Sequence, residues 1–219
     1  MPPHNMTMTV MGAGMLWVGW FGFNGGSALA ANGDAAMAML VTHISAAAGA
    51  MVWMSMEWIR FGKPSALGAV TGMVAGLGTI TPASGFVGPG GALIIGILAG
   101  FTCFNATLYI KRVLKIDDSL DVFPVHGVGG ALGTLMAGVF SATGLGVFSG
   151  YGFADGISSM GGQLYVQFIG VIATVVFTAV MTWVILKVVG ALLGLRVSEE
   201  EETQGLDITM HEERGYDDL

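Results

Sequence analysis

Between Asp117 and Gly133 the chain reads D-D-S-L-D-V-F-P-V-H-G-V-G-G-A-L-G: carboxylates first, then an apolar run that carries one imidazole, His126. About nine residues at ~1.5 Å each put that ring ~13 Å deep, close to the midplane of a ~30 Å hydrocarbon layer. An ionisable side chain at that depth is costly unless it faces a protein-lined cavity or a partner. Gly127, Gly129, Gly130 and Gly133 follow it, so neighbouring helices are expected to come close. The residue types leave two readings. His126 is either a core histidine bonded to a backbone carbonyl or a conducting, proton-handling one, and the second is preferred.

A second constellation is M-L-W-V-G-W-F-G-F-N-G-G-S at Met15–Ser27. Trp20 and Phe23 are three apart and share a helix face. Aromatic faces attract cations, by ~2 kcal/mol or more once water is removed. An interfacial aromatic belt explains the same residues, Trp17 best of all. His43, beside Ser45 and a run of alanines, reads as a packed or outward-facing residue. Two mid-span histidines also admit a bis-histidine haem subunit, which a Soret band would reveal. A pore for another small neutral solute, such as urea or water, is the remaining alternative. No metal-spaced histidine cluster and no G-x-S-x-G elbow is present, so neither a metal site nor an embedded hydrolase is expected, and no cofactor is predicted.

The elements that must carry these groups are transmembrane helices. Hydrophobic residues make up 53% of the 219 residues and charged ones 11%, against about 25% charged in soluble domains. Six apolar segments are long enough to span a bilayer, at 7–26, 35–58, 66–83, 92–110, 121–141 and 163–186. The fold class is therefore an all-α polytopic membrane protein, with residues 1–193 as the membrane part and 194–219 as a tail. The start is polar and lacks a basic n-region, so no signal peptide is read. Gly68, Gly72 and Gly76 in the third segment and Gly96 and Gly100 in the fourth are spaced for close packing. Thr81 before Pro82 predicts a helix end, with the hydroxyl available to freed backbone groups. Asp118 is placed to cap the His126 helix. Glu57, Arg60 and Lys63 read as solvated loop charges.

The charge of −7 belongs to the tail. From Gly194 onward there are nine acidic and two basic residues, and the remainder has six of each sign. Nothing suggests nucleic-acid binding. Arg60 and Lys63, then Lys111, Arg112 and Lys115, then Lys187 and Arg196 follow alternate segments, whereas the intervening loops have no Lys or Arg. That alternation predicts a multi-pass cell-membrane protein, in contact with lipid, with both termini cytoplasmic. Gly205-Leu206-Asp207 and Tyr216 point to a docked tail segment, with plain disordered acid as the alternative.

With these residues assembled, the chain resembles the C-terminal half of the ammonium transporter family, the Amt, Mep and Rh proteins. The resemblance is carried end to end. It includes P-H-N at Pro3–Asn5, G-W-F-G-F-N-x-G-S at Gly19–Ser27, G-K-P-S at Gly62–Ser65 and G-x-x-x-x-T-P-A at Gly76–Ala83. It continues through G-G-A-L-I-I-G at Gly90–Gly96, D-D-x-x-D-V-F-x-V-H-G-V-x-G at Asp117–Gly130, and G-L-R-V with G-L-D in the tail.

The resemblance implies an eleven-helix protomer built from two inverted five-helix repeats plus one helix, assembled as a homotrimer. This chain is then the second repeat plus the final helix. By the same resemblance His126 is the second of twin pore histidines, Phe23 a gate phenylalanine and Ser27 a contributor to ammonium recruitment. Leu16, Trp20, Thr71, Val74 and Val122 match pore-lining positions, and Asp118 matches an aspartate that holds the recruitment region together. The substrate implied is ammonium or ammonia. The tail resembles a segment that communicates with PII-type regulatory proteins. The first repeat and its partner histidine have no counterpart here, so the expectation is a truncated chain whose Met1 is not the true start.

Overall fold

The structure is a computed structural model describing residues 3–215; Tyr216, cited above for the tail, lies outside the described residues. Helices α1 (Met6–Gly26), α2 (Gly33–Phe61), α3 (Ala66–Ile80), α4 (Pro89–Leu108), α5 (Gly129–Phe140) and α6 (Met160–Leu192) carry the apolar segments, and α7 (Glu199–Gln204) and α8 (Leu206–His211) follow. Among the described residues six helical stretches are long and apolar enough to cross a membrane. Two compact units are present, residues 1–171 and 172–219.

In the first unit α2, α3 and α4 form the centre, and their crossings are made of glycine. A Cβ on Gly72 would strike Cβ of Trp53, one on Gly76 the carbonyl of Ser45, and one on Gly96 that same carbonyl. A Cβ on Gly100 would lie 2.8 Å from the Gly49 carbonyl. Small residues at these points let the backbones touch, the usual device where lipid tails supply no hydrophobic push between helices. The buried hydroxyl of Ser45 donates to the Gly76 carbonyl (2.8 Å), so the seam also holds a directional bond between α2 and α3. Around it pack Val41, Ile80, Val87 and Ile95 toward one end and Trp53, Phe104 and Val125 toward the other. The predicted approach of helices to the glycines after His126 holds for two of the four. Gly129 and Gly133 lie against Thr79, whereas the nearest atoms to Gly127 belong to Phe123, one turn earlier, and Gly130 faces open space.

The first three helices each start on a side-chain acceptor. The Asn5 side chain accepts from Met8 N, that of Asn32 from Asp34 N and Ala35 N, and that of Ser65 from Gly68 N. Glu57 is not a solvated loop charge. Its carboxylate accepts from Ser65 N (2.7 Å) and Ser65 Oγ (3.1 Å) and rests where a Cβ of Gly68 would be, clamping the α2–α3 turn. The turn itself is made by Gly62, whose φ of 79° a side chain would resist. α3 ends at Ile80 and a single 3₁₀ turn, Thr81–Ala83, follows, as Pro82 dictates.

The basic residues gather at one end of this unit. The Arg112 guanidinium lies 5.3 Å from the Phe61 ring centre, joining the ends of α4 and α2, and Lys111 Nζ is 2.7 Å from Asp121. At the opposite end Tyr151 N donates to the Phe86 carbonyl and Gly150 N to that of Ala142, tying two loops without Lys or Arg.

The second unit holds the rest of α6 and the tail. Lys187 Nζ lies 6.0 Å from the Trp183 ring. Ser198 and Glu201 form a reciprocal capping box at the start of α7, and Arg196 pairs with Glu202 through two bonds of 2.5 and 2.8 Å. These contacts hold both carboxyls below the usual glutamate range. For Glu201 the cause is chiefly the Ser198 backbone N–H, and for Glu202 the hydrogen bond from Arg196. The tail from 198 to 211 is thus largely helical rather than plain coil.

Candidate functional site: an open polar-studded wall

From Thr71 to Ile80 α3 is buried except at Thr71, Val74 and Gly78, and these three with Thr81 in the following turn recur at helical spacing as one partly exposed stripe. Two other elements border it. From α1, the Trp20 indole N–H donates to Thr81 Oγ1 (2.7 Å), and Thr81 in turn donates to the Leu77 carbonyl (2.7 Å). Phe23 stands edge-on to Trp20, ring centres 6.2 Å apart, and is 63% exposed. From the segment before α5, His126 Nδ1 lies 3.6 Å from where a Cβ on Gly78 would be, ordinary van der Waals distance, so the ring borders the stripe at Gly78.

His126 sits in a π-helical turn, Phe123–Val128, that widens the start of this span. π-turns gather at functional positions because the extra residue per turn re-aims side chains. The ring is exposed on the wall and, among the described residues, has no backbone carbonyl as hydrogen-bond partner. The Asp118 carboxylate accepts from Val122 N (2.9 Å) and Phe123 N (2.8 Å), satisfying donors that a helix start leaves without partners.

A groove of about 620 Å³ runs along α1, lined by Gly12, Met15, Leu16, Gly19, Trp20 and Phe23. Leu16, Phe23 and Val122 are more than half exposed, and Ser27 is also exposed, its hydroxyl donating to the Phe23 carbonyl (2.7 Å). The stripe unites Thr71, Val74 and Thr81 with Trp20 and His126, and the groove unites Leu16, Trp20 and Phe23. Ser27 lies one turn beyond Phe23.

Trp17 departs from the belt reading. It packs on Ala13, Ala46, Met73 and Leu77 and stacks on His43 at 5.1 Å, its indole nitrogen buried without a partner among the described residues. His43 is outward-facing, with Phe21 6.0 Å away, so the two mid-span imidazoles have separate neighbours. Sequence reasoning missed Asn24 and Thr42. Both are buried, Asn24 Nδ2 donates to Thr42 Oγ1 (2.8 Å), and Thr42 donates to the Ala38 carbonyl (2.6 Å). The available signal was their polarity inside apolar spans.

The wall offers a cationic or small polar solute aromatic faces, hydroxyls and one imidazole in low-dielectric surroundings. Among the described residues no group of three or more His, Cys, Asp or Glu could hold a metal ion.

Known proteins agree with this architecture. The model of the ammonium transporter family matches residues 1–216. The chain is 47% identical to a putative ammonium transporter of Methanothermobacter thermautotrophicus, over 98% of its own length and 52% of that protein's. It is 44% identical to the ammonium transporter of Bacillus subtilis, over 99% and 53%. Among solved structures, the Sensor Amt Protein superposes with a TM-score of 0.85 at 33% identity, over 94% of this chain and 49% of that one. Candida albicans Mep2 gives 0.79 at 35%, over 91% and 45%. The chain thus spans about half the length of the relatives it matches. An all-helical, multi-pass membrane chain matched from end to end in this way belongs to the ammonium transporter family.

Proposed function

We propose that the chain acts in transmembrane transport of ammonium or ammonia, as the second inverted repeat and final helix of a transporter protomer. One observation carries the reading: Trp20, Thr81 and His126 share a wall that is open on the side a complementary half would close. Charge makes the mechanism stepwise. Ammonium is disfavoured in an apolar conduit, whereas ammonia is small and neutral. At the outer end Ser27 and the aromatic faces replace part of the cation's hydration, and Phe23 gates entry. Deeper, low dielectric favours loss of the proton, and a neutral imidazole at His126 accepts or relays it. Leu16, Thr71, Val74 and Val122 line the path, while Asp118 and Thr81 hold its ends in shape.

The remaining assignments follow from the same reading. The basic ends of α2 and α4 face the cytoplasm, which places both termini there. Protomers associate as homotrimers, and the acidic tail is the docking segment for a PII-type regulatory protein.

The decisive measurement is current through a transporter carrying both halves. His126→Ala is expected to abolish proton-coupled current, and unchanged current would remove the relay role. Uptake of methylammonium against urea in a transport-deficient host separates this substrate class from other small neutral solutes.

A further inference from the structure

α1 carries three of the wall residues, Leu16, Trp20 and Phe23, yet it is the most loosely held of the first five spans, with only Ala13, Asn24 and Gly25 buried. Apolar contact is non-directional and would let such a helix turn about its axis. Two hydrogen bonds oppose that freedom, and they share one design. In each, a threonine commits its own proton to its helix: Thr81 to the Leu77 carbonyl and Thr42 to the Ala38 carbonyl. What remains on each hydroxyl is a lone pair aimed at α1. Each receives a side-chain N–H from α1, Trp20 Nε1 at 2.7 Å and Asn24 Nδ2 at 2.8 Å. An indole nitrogen can only donate, so the match at Thr81 is complementary and not interchangeable.

Trp20 and Asn24 are four residues apart and lie on one face of α1. One bond runs to the turn that closes α3 and the other to α2, so the helix is pinned between two neighbours. Phe23 follows Trp20 by three residues, within about 60° of it around the axis, and stands edge-on against its ring.

We infer that Thr81 and Thr42 are positioning residues, which fix the rotation of α1 and so aim the Phe23 ring into the conduit. The gating consequence rests on the transport reading above, whereas the two bridges themselves do not.

The test has two arms. In the whole chain in lipid nanodiscs, the Trp20 indole proton, assigned with Trp20→Phe, is expected to resonate downfield of the exposed Trp58 indole. Thr81→Val is expected to move it upfield by several tenths of a ppm, and Thr81→Ser to leave it near its native position. Equal shifts for Trp20 and Trp58 in the unmodified chain would overturn the bridge even if Thr81→Val failed to fold. In a transporter carrying both halves, Thr81→Val and Thr42→Val are each expected to lower methylammonium uptake at least fivefold, with serine at either position restoring most of it. A displaced indole resonance with native uptake would overturn the positioning role. Absent uptake in the unmodified transporter would instead count against the transport reading and leave the indole arm to decide the bridge.

Discussion

The glycine seam between α2, α3 and α4 and the open wall along α1, α3 and the His126 turn are both overwhelmingly apolar, yet they are opposites in what they do with polar atoms. In the seam the buried Ser45 hydroxyl ends on a backbone carbonyl, and glycines at the helix crossings bring backbone against backbone. On the wall His126 is exposed, Thr71 is partly exposed although its hydroxyl donates to the Leu67 carbonyl, and Trp20 donates to a Thr81 hydroxyl that donates on to the Leu77 carbonyl. Hydrophobicity therefore does not distinguish scaffold from path in this protein. The distinction lies in whether a polar group is closed off within the helix packing or left facing outward.

The sharpest way to break the contrast is to put a side chain into the seam. Gly76→Ala would drive a methyl group into the Ser45 carbonyl and the Ala46 backbone, and backbone cannot swing aside. We expect a loss of about 3 kcal/mol or more, read as a fall in melting temperature in detergent. Gly130→Ala, where a methyl meets open space, is expected to be nearly neutral in the same assay.

Next comes the Asp118 cap. Asp118→Ala strands two backbone donors at the start of the π-turn and is expected to cost about 1–2 kcal/mol. If the melting temperature held, the cap would have no structural weight.

Ser45→Ala removes the seam's hydrogen bond while keeping its shape. We expect about 1 kcal/mol in the same assay, less than Gly76→Ala. The reverse order would mean that bonding and not close approach holds the seam.

The smallest effect belongs to the tail. Glu201 and Glu202 have carboxyls lowered below the ordinary value by Ser198 and Arg196, so folding binds fewer protons there than the open chain does. The α7 start is accordingly fully formed above the ordinary glutamate pKa of 4.5 and frays as pH falls through the lowered folded values. Amide resonances of Ser198 and Glu201 should report this between neutral pH and about pH 3. A transition centred well above 4.5 would contradict the sign.

Much of the architecture was readable in advance, for a physical reason that is plain at each point. Thr81-Pro82 announced the end of α3 because proline has no N–H to continue the ladder. The six spans were readable because a bilayer demands about twenty apolar residues for each crossing. Gly72, Gly76, Gly96 and Gly100 announced tight crossings because little else explains such spacing. Other features were silent. Glu57 looked like a loop charge because nothing local shows that Ser65 folds back onto it. Trp17 looked like a belt residue because an interfacial and a core tryptophan have the same composition around them.

Composition, spacing and charge alternation determined that this chain has six apolar helices followed by an acidic tail, since each of those signals is written within one helix or one loop. Only the tertiary structure decided which face of α1 meets the stripe on α3. Trp20 and Thr81 are 61 residues apart, and α1, apolar all round, carries no pattern that points to one neighbour. The aim of an apolar helix is set by the few directional bonds it makes across the bundle, and those exist only once the bundle has formed.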